Sequence, residues 1–138
     1  MIRNSCGRFI LVFTDSFGPV NALQVEARAL LLGLQLGRQR GISHLIVKSD
    51  YPVLISCLRG AWGVPAVIRP IRGIAPEGYQ FSHCYREGNS VADSLASYAN
   101  ARGFFEVFFT VAQLPGHTRG LLALDMQNFC NFCFSFRR

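Results

Sequence analysis

The sequence predicts an α/β domain, a mixed β-sheet flanked by helices. Two observations carry that class. Short runs rich in β-branched and aromatic residues, Phe9 to Phe13, Leu45 to Val47 and Tyr79 to Tyr85, alternate with longer segments of helical composition. Leu45-Ile46-Val47 is also apolar without alternation, which is the pattern of a strand covered on both faces, as parallel strands are.

Taken in order, Ile2 to Phe13 reads as two strand segments around a turn at Asn4 to Gly7. Phe17-Gly18-Pro19 ends the second arm. Asn21 is an N-cap residue, and Ala22 to Arg40 has helical composition until Gly41 stops it. His44 to Asp50 is the buried strand. Tyr51-Pro52 opens a helix to about Arg59, with proline in the first turn, where no N–H is missed. Gly60 to Pro65 is a loop, and Ala66 to Ala75 a short helix with Arg69 and Arg72 on one face. Tyr79 to Tyr85 is a strand and Glu87-Gly88-Asn89 a turn. Ser90 to Ala101 is a helix with Val91, Ala92, Leu95, Ala96 and Ala99 as its apolar stripe. The order is β-β-α-β-α-α-β-α. Eight of the twelve phenylalanines follow Gly103, so the chain divides into a domain over residues 1–103 and a Phe-rich segment over 104–138.

With 138 residues, half of them hydrophobic and 16% charged, a single folded core is expected and a long charged disordered tail is excluded. Fourteen cations face eight acids, and all but one of the cations are arginine, whose planar fork suits phosphates and base edges. The net charge of +6 points to a polyanionic partner. Five cysteines, an odd number scattered through apolar segments, indicate reduced thiols in an intracellular setting, nucleus or cytoplasm. The run Phe9 to Phe13 is shorter than the core of a secretory leader, and no stretch reaches the length of a membrane span.

Because acids are few, their positions carry weight. At about 100° per residue, Glu26 shares its helix face with Ala22, Leu23, Ala29, Leu30, Gly33, Leu34 and Gly37, which is the packing face. Either it snorkels out near the helix start, favoured by the macrodipole, or it meets a cation or a metal. Asp50 ends the buried strand, where ligands bind in open α/β sheets, although it can equally cap the next helix. Asp93 closes Ser90-Val91-Ala92-Asp93, which also has the form of a capping box. Gathered on one rim, the three would repel unless divalent cations neutralised them. Oxygen ligands suit Mg²⁺ or Mn²⁺, and paired ions of that kind hydrolyse phosphodiesters.

These residues resemble the ribonuclease H type-1 domain, in particular its reverse-transcriptase-like branch common in plant retroelement-derived genes. The resemblance rests on Val25 to Leu34 as the Glu-bearing helix and Leu45 to Asp50 as the strand ending in Ser-Asp. It rests further on His83-Cys84-Tyr85-Arg86-Glu87-Gly88-Asn89-Ser90-Val91-Ala92-Asp93-Ser94-Leu95-Ala96 as the last strand, loop and helix. It implies a ribonuclease H-like sheet, with Glu26, Asp50 and Asp93 as catalytic, metal-binding carboxylates of an endonuclease that cuts the RNA strand of RNA–DNA hybrids with Mg²⁺. Arg86 and Asn89 would touch the nucleic acid, whether hybrid or RNA. No membrane partner is implied. The loop Tyr85 to Asn89 lacks the histidine that many members carry, and His83 precedes it on the strand.

Another departure concerns the start. The family begins with a central strand bearing an Asp-Gly pair, and this chain begins inside the following hairpin. Asp15 reads as a turn residue rather than a substitute. With the first catalytic aspartate absent, a weakened metal site and little or no nuclease activity are expected; the alternative is a non-catalytic nucleic-acid-binding or interaction module, a retroelement relic. A β-prone tail segment such as Phe105 to Val111 is expected as one way to fill the vacant strand position. Phe104 to Val111 otherwise reads as a core element, an interaction edge or an aggregation hazard. Cys130 and Cys133 have half of a zinc-ligand spacing with no second half.

Overall fold

The computed structural model describes residues 1–60, 63, 65–75 and 79–127, and the backbone of 134–136. The opening hairpin is β1 (Ile2–Asn4) and β2 (Phe9–Thr14), antiparallel, with Asn4 Oδ1 accepting from the amides of Cys6 and Arg8 to close the turn. Helix α1 (Ala22–Gln39) follows. Its N-cap Asn21 accepts from the Gln24 amide at 2.9 Å while the Gln24 side chain accepts from the Asn21 amide, a reciprocal capping box. The helix ends before Gly41, whose φ of +71° is the left-handed conformation a helix stop requires.

Next come β3 (Ile46–Ser49), α2 (Pro52–Leu58), α3 (Arg69–Ile74), β4 (Gln80–His83) and α4 (Ser90–Arg102), the last entered through a 3₁₀ turn over Arg86–Asn89. The alternation read from the sequence is therefore present through α4. Helix α3 is shorter than expected, beginning at Arg69. Beyond Gly103 lie β5 (Glu106–Phe108), α5 (Gly116–Gln127) and β6 (Phe134–Phe136).

Strands β5, β2, β1 and β6 form one sheet in that order, and β3 and β4 pair in parallel as a second. β6 runs parallel to β1 and lies against β3, so it stands between the two sheets. The segment expected to fill a central gap does something else: Glu106 to Phe108 pairs antiparallel with β2 at the outer edge, and Phe134 to Phe136 takes the position beside β1. Cys130 and Cys133 lie outside the described residues.

Strand alternation sorts the core into two clusters on opposite faces. Ile2 and Leu11 pack with Ala27, Leu30 and Leu34 of α1, Val47 of β3, Leu54 and Leu58 of α2 and Ile71 of α3. Their neighbours Met1 and Val12 pack the other way, with Val91 and Leu95 of α4, Phe108, Leu114 and Leu122 of α5. Helix α5 is held by two polar contacts. The Ser94 and Thr118 hydroxyls meet at 2.8 Å, with Thr118 fully buried. Arg3 of β1 forms a buried ion pair with Asp125, their side chains 4% and 7% exposed.

Removing one member of a desolvated pair strands the other charge, at a cost of about 3–5 kcal/mol, whereas replacing both by apolar groups is often neutral. Asp125→Ala is thus expected to lower unfolding stability in a urea titration by that order, and the double variant Arg3→Met, Asp125→Leu to recover most of the loss. Independent, additive losses would contradict the coupling.

Candidate functional site

Helix α1 lies on the sheet at glycine distance. A Cβ at Gly33 would stand 3.0 Å from the Phe13 ring, and one at Gly37 3.2 Å from Leu45 Cδ1. That approach carries Glu26, two turns earlier on the same face, to the carboxyl end of β3. There Ser49 Oγ donates to Glu26 Oε2 at 3.4 Å and accepts from the Tyr51 amide at 3.1 Å. The serine of the Ser-Asp pair therefore orients the glutamate, a role the sequence reading did not assign. Its signal was available, since a small hydroxyl at a strand end next to an acid is a natural bridge to a facing helix.

Asp50 follows Ser49 directly. Its capping alternative is overturned: α2 has Tyr51 at its N-cap, with no side-chain cap bond. Asp93 loses its capping box likewise, because the N-cap of α4 is Asn89 and Ser90 is already helical. It keeps only the favourable macrodipole position in the first turn and an ion pair with Arg86, Nε to Oδ2 3.6 Å, on an exposed surface.

A largely apolar cleft joins Glu26 and Asp93, and Asp50 is not among its lining residues. Glu26, Ser49, Asn89 and Asp93 line it, together with Lys48 and Asp15, against walls that include Phe13, Leu30, Leu54 and Leu95. Asp15 lies just past β2, its Oδ1 accepting from the Ser16 amide at 2.8 Å. Glu26 is half-buried, and its carboxyl is pushed above its ordinary value of 4.5, first by burial and then by the negative charge of Asp50, with Asp93 adding a smaller push and the Ser49 hydrogen bond acting the other way. The three acids are thus electrostatic neighbours. They are not a closed ligand set: among the described residues no three His, Cys, Asp or Glu side chains stand close enough to hold a metal ion.

Arg86 is 82% exposed at the mouth of this region, and Asn89 reaches into the cleft. His83 ends β4 and is exposed, packed edge-to-face against Tyr85. Several arginines serve the fold instead of a partner. Arg59 donates twice to the Phe81 carbonyl, at 3.0 and 2.8 Å, and Arg72 to that of Cys57 at 2.9 Å. Among the described residues no helix is long and apolar enough to cross a membrane.

Three comparisons with known proteins bear on this geometry. The reverse transcriptase-like family matches residues 1–99. Among solved structures, the crystal structure of RNase H1 from the halophilic archaeon Halobacterium salinarum NRC-1 is similar with a TM-score of 0.58. It is 24% identical, over 64% of this chain and 72% of that one. The likeness is one of fold, and the mixed sheet with its flanking helices is ribonuclease H-like. No curated protein matches the chain.

Because the Glu26 carboxyl titrates higher in the folded than in the unfolded chain, the folded state binds its proton more tightly. Its contribution is neutral below the unfolded value and becomes destabilising as pH rises through the folded one. Glu26→Gln is expected to melt above the parent at pH 7, with the difference vanishing as pH falls below 4.5. A difference independent of pH would contradict the assignment.

Proposed function

Because the chain belongs to the reverse transcriptase-like family, we propose that it is a ribonuclease H-like nucleic-acid-binding domain, with Glu26, Asp50 and Asp93 marking the rim where an RNA–DNA hybrid or RNA lies. The observation that carries this reading is the half-buried Glu26 facing negative charge from both aspartates. Gathering like charges beside an apolar cleft costs free energy. Neither aspartate supplies the helix cap that would explain it as architecture. What remains is a rim kept for a cationic ligand, or for a ligand that brings cations with it.

In that reading Mg²⁺ or Mn²⁺ is the ligand class that the three carboxylates suit, and it would supply Lewis-acid stabilisation of a phosphodiester. The present donor set does not fit a tightly held ion, since no group of three converges among the described residues. Affinity for the ion is accordingly weak. The domain binds nucleic acid and cleaves it poorly or not at all. Arg86, with its guanidinium in solvent, contacts phosphate, and Asn89 contributes a polar group inside the cleft.

The experiment is a labelled RNA–DNA hybrid with the full chain. Binding is expected in EDTA, with little or no cleavage on adding Mg²⁺ or Mn²⁺. Arg86→Ala should weaken hybrid binding and lower the salt slope by about one. Robust Mg²⁺-dependent cleavage, lost in Asp50→Asn, would overturn the claim of impaired hydrolysis. Absence of any hybrid binding would overturn the reading itself.

A further inference from the structure

We propose that the outward face of β5 and its two flanks form a stacking platform for the bases of a single nucleic-acid strand. The inference rests on the reading of the chain as a nucleic-acid-binding domain. It starts from strand alternation at the outer end of the sheet. Phe108 is buried with Val91 and Leu95, its ring 6.1 Å from that of Tyr98. Phe105, Val107 and Phe109 therefore point to the opposite face. There Phe105 and Phe109 remain 46% and 49% exposed.

One of the two exposed rings carries a guanidinium: Arg40, at the end of α1, stands 4.7 Å from the Phe109 centroid, within the roughly 6 Å over which a cation is held by a π face. Arg102 stands over both Tyr98 and Phe104 and belongs to the inner side with Phe108. The acid of β5 does not offset Arg40, since Glu106 lies on that inner face beside Tyr98, with Oε2 buried.

This chemistry favours nucleic acid over another occupant. Exposed rings accept any base by stacking, and the adjacent Arg40 guanidinium holds a phosphate that follows. A second copy would bring its own +6 and the same arginines, so charge opposes self-association here. The platform also adjoins the carboxylate cleft: Val107 pairs in register with Phe13, and Phe13 lines that cleft. A strand leaving the cleft over β2 meets the rings next.

The test is anisotropy with labelled oligo-dT and oligo-U in EDTA, using the full chain. Phe105→Ala and Phe109→Ala are each expected to weaken single-strand binding roughly tenfold, with melting temperature preserved because both rings are exposed. Phe109→Trp should retain binding, and Arg40→Gln should flatten the salt dependence. Unchanged single-strand affinity in the double alanine variant would overturn the platform, even if hybrid binding stands. So would a concentration-dependent dimer of the parent, seen by sedimentation, that the same variant abolishes while nucleic-acid affinity stays intact. A parent chain that binds neither hybrid nor single strands fails the underlying reading as well, which separates the two results.

Discussion

The close seating of α1 on the sheet governs most of what this domain can do. Gly37 abuts Leu45 at one end of β3, and Glu26 meets Ser49 at the other. The helix thus runs antiparallel to β3. Eleven helical residues span about 16 Å and four strand residues about 13 Å, so the two contacts are compatible with one straight, tilted crossing. A side chain at either glycine would crowd the Phe13 ring or Leu45 Cδ1, which would have to give by a few tenths of an ångström.

Electrostatics at the rim follow from that seating. Glu26 is pressed into partial burial next to two aspartates whose ordinary helix-capping duties are absent. The apolar walls of the cleft keep the local dielectric low and make the repulsion matter. Elsewhere the chain uses its cations inwardly: Arg3 on Asp125, Arg59 on the Phe81 carbonyl, Arg72 on the Cys57 carbonyl. The net positive charge is therefore a poorer guide to where a polyanion lies than the exposure of Arg86, Arg40 and Arg102 individually.

The residues after Gly103 are joined to the rest by three means. β5 extends the hairpin sheet, α5 packs on α4 through Thr118 and Leu122, and β6 stands beside β1 and against β3. A strand at that position bridges two sheets that share no ladder of their own among the described residues. The phenylalanines divide accordingly: Phe108 fills the core, while Phe104, Phe105 and Phe109 stay at the surface.

By itself the chain of letters determined the α/β class, the hairpin, the capped α1 and the identity of the three acids, because periodicity and caps are local properties. The Asn21–Gln24 capping box and the stop at Gly41 involve residues only a few positions apart. Tertiary structure decided the rest. Whether Asp50 and Asp93 cap their helices depended on where each helix starts, a one-residue difference that local pattern does not resolve. Helix α5 is not marked by local pattern, because Gly116 to Gln127 has weak amphipathicity and its seating is set by a long-range ion pair and a hydroxyl contact. Which tail strand pairs with which edge is likewise non-local: β-propensity marks Glu106 to Phe108 and Phe134 to Phe136 alike, and only the ladders already formed by β2 and β1 tell them apart.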